Sequence, residues 1–289
     1  MNASDLFLFK KCGKSAGNNG IYMKEKRNII YYAVTILLFA VIAFSLFKIY
    51  QIAEDYLQGR RTYKSLNEAV LTQEQEETET SEDISDTEES EKTTDDTVFD
   101  WYLVNWEALD AVSSDTAGWI VFENEAISYP VMYSGDDETY LHAAPDGSYL
   151  YAGSIFMEGE NAPDFSDGHT ILYGHNMKDG SMFAKLKNYQ TEGYYQEHKY
   201  LQILTPQSSC RYKVFAYEDV SDDSFIYSVP YNNTEELKSF CEKLLSISWL
   251  TCDDTTRALL DGTRPVITLS TCSTEGRRFV VHAVLVSVQ

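Results

Sequence analysis

Thr268-Leu269-Ser270-Thr271-Cys272, followed after a short turn by Arg277-Arg278-Phe279-Val280-Val281, decides how the rest of the chain is read. An apolar strand runs into a hydroxyl-rich end that presents a lone thiol. A second apolar strand begins on two arginines and places fixed positive charge beside it. The thiolate is the reactive form of cysteine, and neighbouring cations stabilise it. With a histidine brought in from elsewhere, Cys272 becomes a candidate nucleophile.

Working outward, the same alternation of short apolar runs and turn residues recurs. Trp119–Phe122 and Ile127–Tyr133 flank the turn-like Glu123-Asn124-Glu125. Ser154–Met157, Thr170–Tyr173, Tyr200–Thr205 and Tyr212–Tyr217 follow, and Pro265–Leu269 and Phe279–Val288 close the series. About eight strands with few helices predict a closed or nearly closed β-barrel. Helical spacing appears around residues 98–112 and 182–186. It is clearest in Glu235–Ile247, where Asn233-Thr234 is a candidate cap. The mainly β unit is expected to span residues 98–289.

The N-terminal third is different. Residues 29–47 are nineteen positions without a charge, and at about 1.5 Å per residue a helix there spans about 28 Å, close to a bilayer core. Tyr31, Tyr32 and Tyr50 lie near its ends, where interfacial aromatics belong. Lysines and Arg27 precede the run, so the positive-inside rule places residues 1–28 in the cytoplasm and the rest outside. Residues 29–50 are therefore expected to be a signal-anchor. A cleaved signal peptide is the alternative, but no small-residue cleavage pattern follows. Helical spacing in residues 51–72 suggests a stalk. Residues 73–97 are low-complexity Glu/Asp/Thr/Ser and read as a disordered spacer.

The formal charge is −22, which excludes the basic footprint that nucleic acid requires. Half of it lies in residues 74–96, where twelve carboxylates face one lysine, so the folded part is only moderately acidic. The five cysteines contain no C-x-x-C pair, so no structural metal site is expected. Cys241 and Cys252 are either an extracellular disulfide or two buried thiols. No cofactor is called for.

Five histidines could serve Cys272. His175 lies in Tyr173-Gly174-His175-Asn176-Met177, just past an apolar strand, where Gly174 permits a sharp exit and sites are commonly built. His142, His169 and His198 lie in polar segments and read as solvated. His282, inside the last strand, reads as a satisfied structural histidine.

These motifs together resemble the sortases, class B most closely, over roughly residues 98–289. Thr268–Cys272 is similar to the family's T-L-x-T-C motif. Tyr173–Met177 with Asp179-Gly180-Ser181-Met182-Phe183 resembles the class B histidine segment. Gly118-Trp119-Ile120, Tyr129-Pro130-Val131 and Gly153-Ser154-Ile155-Phe156 match class B wording. Residues 220–262 resemble the class B insertion before the Cys strand.

The resemblance implies an eight-stranded sortase-type β-barrel with N-terminal helices and a helix in that insertion. It implies Cys272 as nucleophile, His175 as general acid/base, and an arginine at the start of the last strand. Arg278, directly before Phe279-Val280-Val281, fits that place better than Arg277. Thr271 and Ser270 are candidate substrate contacts. The expected partners are a sorting signal of the Asn/Ser-Pro-x-Thr type and a peptidoglycan precursor amine. The expected setting is the membrane of a Gram-positive-type bacterium, with the catalytic domain extracellular. A pilin polymerase using a lysine nucleophile is the alternative within the family. A silent wall-binding barrel would lack Cys, His or Arg, and a papain-like hydrolase would place Cys before His. Neither pattern is present.

Overall fold

A computed structural model of the chain describes residues 16–73, 99–229 and 231–289. The start of the expected cytoplasmic tail, residues 1–15, and the acidic stretch 74–97 lie outside them. Helix α1 (Ala16–Val70) carries the apolar run. Among the described residues it is the one helix long and apolar enough to cross a membrane. Its large side chains there are bare, Phe39 at 68% exposure for instance, as suits a segment solvated by lipid rather than by protein.

From Asp55 onward the chain forms one compact unit. Strand β1 (Leu71–Gln73) pairs antiparallel with β2 (Tyr102–Val104), and α2 (Trp106–Asp110) follows. Asn105 caps α2 by accepting from the Ala108 N–H at 3.0 Å. The barrel strands are β3 (Thr116–Phe122), β4 (Ser128–Met132), β5 (Ile155–Met157), β6 (His169–Tyr173), β7 (Tyr200–Leu204), β8 (Ser209–Ser221), β9 (Val266–Cys272) and β10 (Arg277–Val288). They close in the order β10-β8-β7-β3-β4-β5-β6-β9. The expected eight-stranded barrel is the observed one. Two short helices, α3 (Tyr194–Glu197) and α5 (Asp254–Arg257), and the longer α4 (Thr234–Ile247) complete the set. Asn233 caps α4 through the Glu235 N–H, as its sequence predicts.

Alternation along the strands divides the apolar residues between two cores. Phe279, Val281 and Ala283 point into the barrel with Ile120, Leu172 and Leu269. Val280 and Val284 point outward, beneath Phe240 and Leu244 of α4. A strand covered on both faces reads as a continuous apolar run rather than an alternating one. That accounts for the unbroken Phe279–Val281 stretch.

Two sequence expectations change. The region around residues 98–112 is a short strand followed by a five-residue helix, because β2 finds a partner in β1. The folded unit also starts earlier than residue 98. Tyr63, Leu66 and Val70, on the last turns of α1, are buried. Tyr63 packs into the barrel core, and its hydroxyl donates to the Gly153 carbonyl. Residues 55–70 therefore belong to the barrel unit rather than to a free stalk. Cys241 and Cys252 are buried free thiols. Burial pushes Cys241 up to about 12, which makes it inert.

Candidate active site

Two pairings bring the site together. Strands β6 and β9 run parallel, with Tyr173 aligned to Ser270. Parallel neighbours end on the same edge, so the residues just past β6 and those ending β9 share one rim. The Gly174 N–H extends this ladder by donating to the Ser270 carbonyl at 3.1 Å. Strands β9 and β10 pair antiparallel, with Cys272 aligned to Arg278. Directly paired residues project from the same face of a sheet. His175, Cys272 and Arg278 consequently line one cleft of ≈ 430 Å³.

Gly174 exits the strand for a reason the sequence does not display. A Cβ there would stand 2.4 Å from Ile155 Cδ1 and 2.7 Å from Phe183. Close packing, rather than a left-handed turn, demands glycine. His175 is then held on its main chain, where its carbonyl accepts from the Phe183 N–H at 3.0 Å. On its ring, Nε2 lies 2.8 Å from the Leu141 carbonyl. Burial lowers the proton affinity of His175; the Leu141 carbonyl opposes that, and the nearby His142 adds to it.

Cys272 ends β9 with its side chain exposed. Its carbonyl accepts from Asn176 Nδ2 at 2.8 Å, so the residue beside His175 grips the main chain of the thiol-bearing residue. The two arginines part company. Arg277 ion-pairs with the Asp219 carboxylate and also reaches the Asp219 carbonyl at 2.6 Å. Arg278 makes one bond, 3.2 Å to the Arg277 carbonyl, and has no carboxylate partner among the described residues. It faces the cleft.

Thr271 and Ser270 also line the cleft, in different states. The Thr271 hydroxyl is buried without a hydrogen-bond partner among the described residues. The Ser270 hydroxyl lies 3.0 Å from the Tyr227 hydroxyl. Asp137, Glu158 and Asp222 line the cleft as well. Glu158 accepts from the Tyr173 hydroxyl. Burial pushes Glu158 up to about 7; Tyr173 opposes this and Asp137 reinforces it. Among the described residues no group of three or more His, Cys, Asp or Glu is arranged to hold a metal ion.

Among the remaining histidines His169 departs from its sequence reading. His169 is fully buried rather than solvated, with Nε2 2.7 Å from the Thr268 hydroxyl. That hydroxyl lies 2.8 Å from His282 Nδ1, and His282 Nε2 lies 3.0 Å from Glu218. His282 is thus buried and partnered, as expected of a structural histidine. His198 stacks on Tyr194 at 3.8 Å. His142 is exposed, yet its ring stacks on His175. The sequence does not single out Glu158 or Tyr227, holds Asn176 only as part of the His175 segment, and presents His142 as a solvated histidine. Only Asn176 carried a signal, its place next to His175; the others reach the cleft through folding alone.

A thiol, an imidazole and a guanidinium on one rim of a closed barrel are the groups that cysteine-based acyl transfer requires. Residues 120–286 match the sortase domain, more than half of the chain, and the chain belongs to the sortase family. Sortases are cysteine transpeptidases of the cell surface that act on sorting-signal substrates. The chain is 32% identical to sortase B of Listeria monocytogenes over 167 residues, which covers 58% of this chain and 66%, just under two thirds, of that protein. It is similar to a crystal structure of sortase B from Bacillus anthracis, with a TM-score of 0.63 and 28% identity over 81% of this chain and 99% of that one. A substrate complex of Staphylococcus aureus sortase B is also similar, with a TM-score of 0.57 and 25% identity over 63% and 84% of the two chains.

Proposed function

We propose that this protein is a membrane-anchored class B transpeptidase that cleaves a sorting signal after threonine and joins the cargo to a cell-wall amine. The observation that carries this reading is the common cleft of Cys272, His175 and Arg278. The Cys272 proton passes to His175, and the thiolate adds to the threonine carbonyl. Arg278 holds the resulting oxyanion, an interaction worth about 3 kcal/mol per well-placed donor. His175 gives its proton to the departing amine, and a thioester to Cys272 remains. The acceptor amine loses its proton to His175 and attacks that thioester. A new amide forms, and Cys272 leaves as the thiol. Water in place of the amine gives slow hydrolysis.

The buried Thr271 hydroxyl, without a partner among the described residues, suits a contact to the sorting signal, since an unmatched buried hydroxyl gains most from a new partner. Ser270 shapes the same wall with Tyr227. The acidic groups that line the cleft attract an ammonium acceptor into it. The apolar stretch of α1 serves as the membrane anchor, single-pass, with the catalytic unit outside.

The test incubates the full-length protein in detergent with peptides carrying Asn-Pro-x-Thr or Ser-Pro-x-Thr, with and without a peptidoglycan-type amine. Mass spectrometry should find an acyl adduct on Cys272, lost when the amine is added and missing from Cys272→Ala. Cleavage retained in Cys272→Ala would remove the reading.

A further inference from the structure

Among the described residues His175 has no carboxylate or carboxamide as a hydrogen-bond partner, the groups that usually orient a catalytic imidazole. Its ring is gripped by two consecutive residues of the connection between β4 and β5. Leu141 takes the ring edge, carbonyl to Nε2 at 2.8 Å. His142 covers the ring face, centroids 5.1 Å apart and planes inclined by 20°. His142 is itself tied down. Its Nδ1 donates to the Tyr151 carbonyl at 3.2 Å, and its carbonyl accepts from the Leu150 N–H at 3.0 Å. The Tyr149 and Tyr151 rings lie 6.4 and 6.2 Å from it.

We propose that His142 is a positioning residue for His175, which it holds in one ring orientation so that Nε2–H stays on the Leu141 carbonyl and Nδ1 alone exchanges protons. The inference rests on the acid/base role proposed for His175 and deepens it. A main-chain carbonyl is only an acceptor, so the nitrogen facing it must carry hydrogen in both charge states of the ring. The proton that leaves the Cys272 thiol therefore arrives on Nδ1, and the departing amine removes it from Nδ1. Without a neighbour on its face the ring could turn about its bonds, because a single hydrogen bond fixes one edge only. The stacked His142 removes that freedom.

A second imidazole on the face also makes His175 harder to charge, because two imidazolium rings in contact repel. Burial and His142 act in the same direction on His175, against the Leu141 carbonyl. The other titratable groups on this cleft are Asp137, Glu158 and Asp222, the phenols Tyr173 and Tyr227, and Cys272 and Arg278. None of them stacks on the His175 ring among the described residues.

The experiment measures kcat, KM and the pH profile of kcat/KM for full-length wild type, His142→Ala, His142→Phe and His175→Ala, on a quenched-fluorophore sorting peptide. His142→Ala should lose about ten-fold in kcat with KM within about two-fold, because misplacing a catalytic group costs rate rather than binding. His142→Phe keeps a ring on the face and should recover most of kcat. With no charge to repel, it should move the acidic limb of the profile upward. Wild-type kcat and an unshifted limb in both variants would overturn the inference while leaving His175→Ala inactive. An active His175→Ala would instead sink the acid/base reading itself. Imidazole nitrogen NMR on full-length Cys272→Ala gives an answer that needs no His142 variant: His175 should carry its hydrogen on Nε2, and a hydrogen on Nδ1 of the neutral ring would overturn the proposal.

Discussion

Arg278 stands directly across from Cys272 in the antiparallel ladder of β9 and β10, with both side chains on one face of the sheet. Its neighbour Arg277 aligns with Ser221 of β8 and is tied to Asp219. The two arginines should separate cleanly. Arg278→Ala should lower kcat by about 10²–10³, the usual loss for one oxyanion donor. Arg277→Ala removes a half-exposed surface pair and should cost less than about 1 kcal/mol of stability, with near-normal turnover. Steady-state kinetics and a denaturation curve on each variant check this, and reversed phenotypes would refute the assignment.

Asn176 should behave as a support for Cys272. Its Nδ2 donates to the Cys272 carbonyl, so Asn176→Ala frees the end of β9 without touching the thiol. Turnover should drop by about ten-fold or more, with the fold intact, since small displacements of reacting groups are costly. Circular dichroism and kcat measured together decide the point. Unchanged kcat would show that β9 is held by its ladder alone.

Gly174→Ala should be damaging even though any residue can adopt a right-handed or extended backbone. The added methyl would press into Ile155 and Phe183, and overpacking of this kind costs about 1–3 kcal/mol. Relief can come only from shifting His175 or the Phe183 segment, so activity should fall further than stability. A crystal structure with an undisplaced His175 and full activity would contradict this.

The buried His169 makes stability depend on pH. Burial, with His282 beside it, holds His169 well below the ordinary histidine value. The folded state then leaves His169 neutral, while the unfolded chain protonates it below about pH 6.5. Stability from this group is complete above that pH. It is lost as pH falls through 6.5 toward the folded-state value, at up to about 1.4 kcal/mol per pH unit. Urea midpoints at pH 7.5 and 5.0 should differ in that direction, and His169→Gln should flatten the slope. Equal slopes would remove His169 as the source.

The end of α1 should matter to the barrel. Tyr63→Ala should cost about 3 kcal/mol or more, as expected for a buried aromatic ring, because Tyr63 joins the barrel core and bonds to Gly153 and Ser154. A protein beginning at residue 98 should unfold at lower temperature than one beginning at residue 55. Identical melting curves would mean that α1 merely rests on the barrel.

The sequence by itself made legible the strands, an apolar helix long enough to cross a membrane, and Cys272 as a candidate reactive thiol. Apolar runs of Phe279–Val288 type are visible because burial on one or both sheet faces selects β-branched and aromatic residues locally. The nineteen uncharged residues are visible because lipid tolerates no charge. The N-cap of α4 is visible because Asn233 satisfies an orphan amide of its own helix. What lies between distant segments was decided only by the tertiary structure. The roll of Tyr63 onto the barrel depends on a surface supplied ninety residues later. His169 looked solvated because its neighbours in sequence are polar, yet its neighbours in space are Thr268 and Phe240. The resemblance already favoured Arg278 over Arg277; what needed the register of two strands was the placing of Arg278 across from Cys272 and of Arg277 on Asp219, since a one-residue slip exchanges the faces on which the two guanidiniums project. The clamp on His175 needed the closed barrel. Closure sets Leu141 and His142 beside a ring more than thirty residues away, and no local pattern encodes that contact.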